Sequence, residues 1–153
     1  MRSPASPDIQ RLLAALTGGR PDRVPNFEIT IDPRNLAAIL GREVAETGLW
    51  TLPPQDAVRV AQAVGQDAIP APLQHHLPEA SICEHADMDA VSLPDTRPVR
   101  EKLKTYLAAA AKTGLGVCPC LSGPFTASCM ASGPIPIQSF LLMVYEDPEL
   151  ADR

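Results

Sequence analysis

The chain has 153 residues, with 18 Asp plus Glu against 13 Lys plus Arg, for a net charge of −5. That length suffices for one hydrophobic core, and the acidic balance argues against a nucleic-acid footprint, which is normally basic. No apolar run approaches the ~18 residues of a membrane span, and the opening MRSPASPDIQ lacks the apolar centre of a secretory signal. The four cysteines are accordingly expected as thiols in a reducing cytoplasm. Residues 1–5 read as a loose tail.

From there the chain alternates helical and extended patterns. Ser6 and Pro7 offer a helix start, and Ile9, Leu12, Leu13 and Leu16 fall on one stripe before Gly18–Gly19 ends it. Val24 to Ile31 alternates, with Phe27, Ile29 and Ile31 on one side and Asn26, Glu28 and Thr30 on the other, which predicts a strand. A carboxylate on the inner side of such a strand must be paired, hydrogen-bonded or neutral. Glu28 is therefore the candidate catalytic residue, with Asn26 beside it as a substrate contact. The bland alternative is a solvated polar face at a wet rim.

Asp32 then caps a helix that opens on Pro33, buries Leu36, Ile39 and Leu40, and stops at Gly41. Trp50, in the connection after it, reads as local packing or as a pocket wall. Pro54 begins a helix through Ala57, Val60, Ala61 and Val64 to Gly65, and Asp67–Ala68–Ile69 is a short strand. Residues 70–96 are irregular and hold all three histidines, His75, His76 and His85. Cys83–Glu84–His85 and Cys118–Pro119–Cys120 carry zinc-ligand chemistry, but the spacing is not a known zinc pattern. Small buried thiols are the reading adopted, with no metal ligand assigned. Asp89 to Leu93 reads as another short strand.

Asp95 or Thr96 caps a helix over residues 97–112, with Val99, Leu103, Leu107 and Ala110 inward. Leu115 to Leu121 is a short apolar run expected as a buried parallel strand. Ser122, Gly123, Pro124, Phe125 and Thr126 form the loop at its carboxyl end, where α/β folds bind ligands. These five are the remaining substrate-binding candidates. Pro136 to Tyr145 is a helix apolar on most sides, and Asp147–Pro148–Glu149 begins another.

A strand ending in Gly123–Pro124–Phe125–Thr126, followed by small residues and then Asp147–Pro148–Glu149–Leu150, resembles the uroporphyrinogen decarboxylase superfamily. The superfamily also contains cobalamin- and corrinoid-linked methyltransferases. Arg11 to Leu16, Pro21–Asp22–Arg23–Val24–Pro25 and the stretch Asp56 to Ile69 are similar to its amino-terminal elements. The resemblance runs from about Leu12 to Leu150 and implies an α/β chain forming the amino-terminal part of a (β/α)8 barrel. Such barrels usually take about 250 residues, so residues 1–153 are expected to supply roughly the first three βα units of one domain, with a helix begun at Asp147 reading as cut short.

The resemblance further implies an enzyme whose intact form acts on a small-molecule substrate or a corrinoid protein, and the missing export signal places it in the cytoplasm. The chain alone is expected to bind no cofactor. Zinc and a corrinoid belong to the intact methyltransferases, whose ligands, a His-x-Cys pair and a further Cys, lie in the carboxyl-terminal half. True decarboxylases carry an Arg-rich clamp on the first strand and an acid after the second. Here the matching positions read Glu28 to Arg34 and Pro70 to Gln74, which favours methyl transfer over porphyrinogen decarboxylation. A third reading is an inactive or partner-dependent half-barrel that serves assembly through its open sheet edge.

Overall fold

The computed structural model describes residues 6–45, 48–73, 82, 84–91, 95–121, 123, 126 and 135–152. Its elements follow in the order α1 (Ile9–Leu16), α2 (Pro33–Leu40), α3 (Pro54–Val64), β1 (Ala68–Pro72), α4 (His85–Asp89), α5 (Arg97–Ala110), β2 (Gly116–Cys120), α6 (Ile137–Glu146) and α7 (Pro148–Ala151). Where the sequence reads as one domain, the chain divides into two compact units. The first comprises Met1–Leu73 and Val99–Cys120, the second Gln74–Pro98 and Leu121–Arg153.

Helix ends in the first unit follow their capping residues. Asp32 accepts the Arg34 N–H at 2.9 Å, Pro33 opens α2, and Gly41 closes it at φ 72°. α3 opens on Pro54 with Asp56 in its first turn and closes on Gly65. α1 departs from expectation, because Asp8 rather than Ser6 is its cap and accepts the Gln10 N–H at 2.9 Å. Tertiary bonds decide this: the Asp8 N–H donates to Asp67 Oδ1 at 3.0 Å, and the Ile9 N–H to the Gly114 carbonyl at 3.0 Å. Leu13 and Leu16, on the predicted stripe, stay exposed.

β1 and β2 form a parallel pair in the register Ala68↔Gly116, Pro70↔Cys118 and Pro72↔Cys120. The flanking bonds run from the Gly116 N–H to the Asp67 carbonyl and from the Leu73 N–H to the Cys120 carbonyl, both 3.0 Å. In a parallel ladder the residues facing the partner alternate, so Asp67, Ile69, Ala71 and Leu73 face β2. Pro70 and Pro72 thus point their donorless nitrogens away from β2, and Pro119 points its own away from β1. This is how three prolines are tolerated within two five-residue strands. It also explains a difference from the sequence reading. Val24 to Ile31 runs beside the start of β1 but forms no ladder with it, because two of the three outward backbone positions of β1 have no N–H. Its contacts are the Asp67 N–H on the Asn26 carbonyl at 2.8 Å and a single antiparallel bridge, Thr30↔Gly48.

The core of this unit gathers Leu36 and Leu40 from α2, Ala57, Val60 and Ala61 from α3, Ile69 and Ala71 from β1, and Leu49, Leu52, Tyr106 and Leu115. Leu107, expected inward, is 52% exposed, while Tyr106 is 1% exposed. The Tyr106 hydroxyl lies 2.8 Å from the Trp50 carbonyl and 3.0 Å from the Leu52 carbonyl. That contact goes with Tyr106 turned inward in place of Leu107, while Ala110 is buried and Leu103 packs on the core as expected. Trp50 itself is half-buried, in keeping with local packing.

Gly114 carries the turn from α5 into β2 at φ 81°. A Cβ there would collide with the Pro7 carbonyl. Gly114→Ala is expected to destabilise by more than about 1 kcal/mol, since both the left-handed backbone and the contact oppose it. A urea midpoint indistinguishable from the parent would contradict this.

In the second unit, α4 ends at Asp89, the first residue of the strand expected over Asp89 to Leu93, and Ala90 and Val91 follow it as turn and irregular chain. The start of α4 is held by the Glu84 N–H on Asp87 Oδ2 at 3.0 Å, and residues 92–94 lie outside the described set. Asp147 caps α7 by accepting the Leu150 N–H at 3.1 Å, as its sequence predicts, and its Oδ2 stands 3.2 Å from His85 Nε2. Ile82, Met143 and Leu150 are buried, whereas Leu141, Leu142 and Val144 of the apolar helix α6 are more than half or half exposed.

Candidate functional site

The segment carrying Asn26 and Glu28 is positioned by one buried carboxylate. Asp67, 0% exposed, stands immediately before β1. Its Oδ1 accepts from Asp8 N at 3.0 Å, Arg11 Nη1 at 2.9 Å and Arg23 Nη2 at 2.9 Å. Its Oδ2 accepts from Asn26 N at 3.0 Å. Arg11 also grips Asp22 through Nε–Oδ1 at 2.6 Å and Nη2–Oδ2 at 3.1 Å, a two-pronged pair. Asn26 Nδ2 reaches the Val64 carbonyl at 3.2 Å, capping the end of α3. Three chain segments are therefore tied to the amino end of β1 by a single side chain.

Burial alone would push the Asp67 carboxyl up. The Asn26 and Asp8 amides and the two guanidinium groups outweigh it and hold the carboxyl below the usual range. Asp22 is lowered too, chiefly by its hydrogen bond from Arg11. Both folded-state values are depressed, so their contribution to stability is complete above the unfolded carboxylate range and is lost as pH falls through the folded values. Stability is expected to be flat from neutrality to about pH 5 and to drop steeply below about pH 4. A midpoint that holds constant between pH 5 and pH 3 would refute that role.

On this anchor rests a cleft of about 520 Å³ lined by Asn26, Glu28, Ile31, Asn35, Ala38, Ile39 and Val64. Ile31 and Ile39 pack on the core and form an apolar floor. Asn26 is half-buried, and Asn35 and Glu28 are exposed. Glu28 is the one ionisable group in this lining. A small apolar body with a hydrogen-bond-donating or cationic head matches that combination.

The structure thus brings Asn26 and Glu28 to one cleft, although Glu28 is exposed rather than enclosed. Gly123 and Thr126 are exposed residues of the second unit, and Ser122, Pro124 and Phe125 lie outside the described residues. Asn35 is a lining residue that sequence reading passes over. Its signal was its place three residues after the Asp32 cap, on the α2 face opposite Leu36 and Leu40. The Arg11–Asp22–Arg23–Asp67 cluster was also missed as a unit, since its members lie up to 56 residues apart.

Cys118 and Cys120 are free thiols, each partly exposed. Burial pushes both up, and the mutual interaction raises Cys118 further. Among the described residues no group of three or more His, Cys, Asp and Glu side chains is arranged to hold a metal ion. Among them, too, no helix is long and apolar enough to cross a membrane.

Comparison with family models, with curated proteins and with solved structures finds no match. The family resemblance consequently rests on the residues that carry it.

Proposed function

We propose that the cleft at Asn26, Glu28 and Asn35 binds a small methylated substrate, and that the chain is the amino-terminal part of a cytoplasmic, uroporphyrinogen-decarboxylase-like (β/α)8 barrel whose intact form performs corrinoid-linked methyl transfer. The observation that carries this reading is the cleft itself. A carboxylate and two carboxamides surround a floor of Ile31 and Ile39, a lining suited to a substrate that is apolar in body and positive or donor-bearing at one point. The parallel β1–β2 pair, joined through α4 and α5, supports the barrel element of the proposal.

In this reading Glu28 orients the substrate or takes a proton from it, and Asn26 and Asn35 fix its polar end. Asn26 is preset for that work, because its backbone is held by Asp67 before any ligand arrives. Ser122 to Thr126 remain the proposed loop contacts of the intact protein. Zinc and a corrinoid, if used, would be held by residues other than these.

The decarboxylase alternative fares worse on the same observation. A tetrapyrrole with several carboxylates calls for cationic clamps, and the cleft lining contains Glu28 and no Lys or Arg. The assembly-module alternative is weakened by Pro70, Pro72 and Pro119, which remove donors from the outer edges that strand addition would use. Calorimetric titration separates the three. Saturable binding of tetramethylammonium, with no binding of a polycarboxylated tetrapyrrole, is the expected result. Tetrapyrrole binding that weakens with added salt would favour the decarboxylase, and concentration-dependent dimerisation with neither ligand bound would favour assembly.

A further inference from the structure

A second site lies on the sheet face opposite the Ile69, Ala71 and Val117 side chains, beside the fully buried Ala68 and Pro70. The side chains of Ile69, Ala71 and Val117 pack with the core cluster. Strand alternation therefore puts Cys118 and Cys120 together on the opposite face, with Pro70 and Pro72 directly across from them in register. We propose that Cys118 and Cys120 form a two-thiolate clip for a soft monovalent cation of the copper(I) class.

Four features support the clip. Both cysteines are free and partly exposed, so an ion can reach them. Pro119 between them fixes its own φ and stiffens the segment that sets their spacing. The Cys120 Sγ turns back along the strand to within 3.6 Å of the Cys118 carbonyl, which brings it towards its partner. Their cross-strand neighbours are proline rings, which present neither charge nor a hydrogen-bond donor to compete for sulfur.

Spacing argues for an ion rather than a disulfide. Two residues along a strand separate the Cα atoms by about 6.6 Å, close to the upper limit of about 6.8 Å seen in disulfides. An ion placed between the sulfurs spans that wider gap without bending the strand. Zinc would require further ligands, and the described residues place no third His, Cys, Asp or Glu with these two. Thiolate pairs with no harder ligand suit copper(I). On binding, each thiol gives its proton to solvent, two sulfur–copper bonds form, and no electron is transferred.

The test uses the reduced full chain, copper(I) itself and a chromophoric copper(I) chelator as competitor. One equivalent is expected to bind, with at least a hundredfold loss of affinity in Cys118→Ser and in Cys120→Ser. The double variant Cys83→Ser/Cys129→Ser, altering the other two cysteines, should bind as the parent does. Equal binding by the Cys118 or Cys120 variants, or loss in the double variant, would overturn the assignment. Should either single variant fail to fold, alkylation mapping of the parent decides. One equivalent of copper(I) is expected to shield both Cys118 and Cys120 from alkylation, and undiminished labelling of the pair would refute the clip.

Discussion

Asp67→Asn is expected to lower the unfolding free energy by about 3–5 kcal/mol, a range characteristic of leaving buried partners of an ion pair uncompensated. The loss arises on both sides of the side chain. One oxygen of Asp67 receives two guanidinium groups and one amide, and the other receives the Asn26 amide. Asparagine keeps a single acceptor oxygen, carries no charge, and places an NH2 against donors. Arg11 retains Asp22 as a partner, whereas among the described residues Arg23 keeps its contacts to the Val24 and Gly65 carbonyls. The denaturant midpoint should fall while the slope stays constant. Urea unfolding of the two proteins side by side checks this, and a difference below about 1 kcal/mol would show that the cluster is not what holds the segment to β1.

Glu28→Gln is the second large effect, and it is functional rather than structural. Glu28 is exposed and makes no contact that the fold depends on, so stability is expected to change by less than about 0.5 kcal/mol. In protein competent for methyl transfer, turnover should fall at least tenfold, equivalent to about 1.4 kcal/mol in the barrier. The near-isosteric amide keeps the shape of the cleft and removes its only charge. Unchanged turnover would remove Glu28 from the mechanism, and a matching loss in stability would reassign it to the fold.

These two residues show what was legible in the sequence and what was not. The caps at Asp32 and Asp147, the stops at Gly41 and Gly65 and the extents of α2 and α3 could be read directly, because a cap acts within one turn. Glu28 and Asn26 were legible as a pair because alternation over Val24 to Ile31 puts them on one side. That same alternation suggested a sheet strand, and the outward-facing prolines of β1 defeat it. Their meaning depends on which edge of β1 meets β2, and pattern alone does not give that.

Asp67 was hidden for a related reason. Sequence pattern places Asp67 at the head of the short strand Asp67–Ala68–Ile69 and gives it no partner. It becomes the anchor of the unit only when Arg11 and Arg23 arrive from distant positions. Tyr106 was likewise passed over for Leu107, since periodicity does not reveal that the Trp50 and Leu52 carbonyls lie within reach of its hydroxyl.

The most direct test of the account is an amide-resolved NMR titration of the chain with tetramethylammonium chloride, run against sodium chloride at equal ionic strength. Saturable shifts confined to the neighbourhood of Asn26, Glu28, Asn35, Ile39 and Val64, and abolished by Glu28→Gln, are the predicted result. Shifts scattered over the chain, or persisting unchanged in the variant, would contradict the cleft as the binding site.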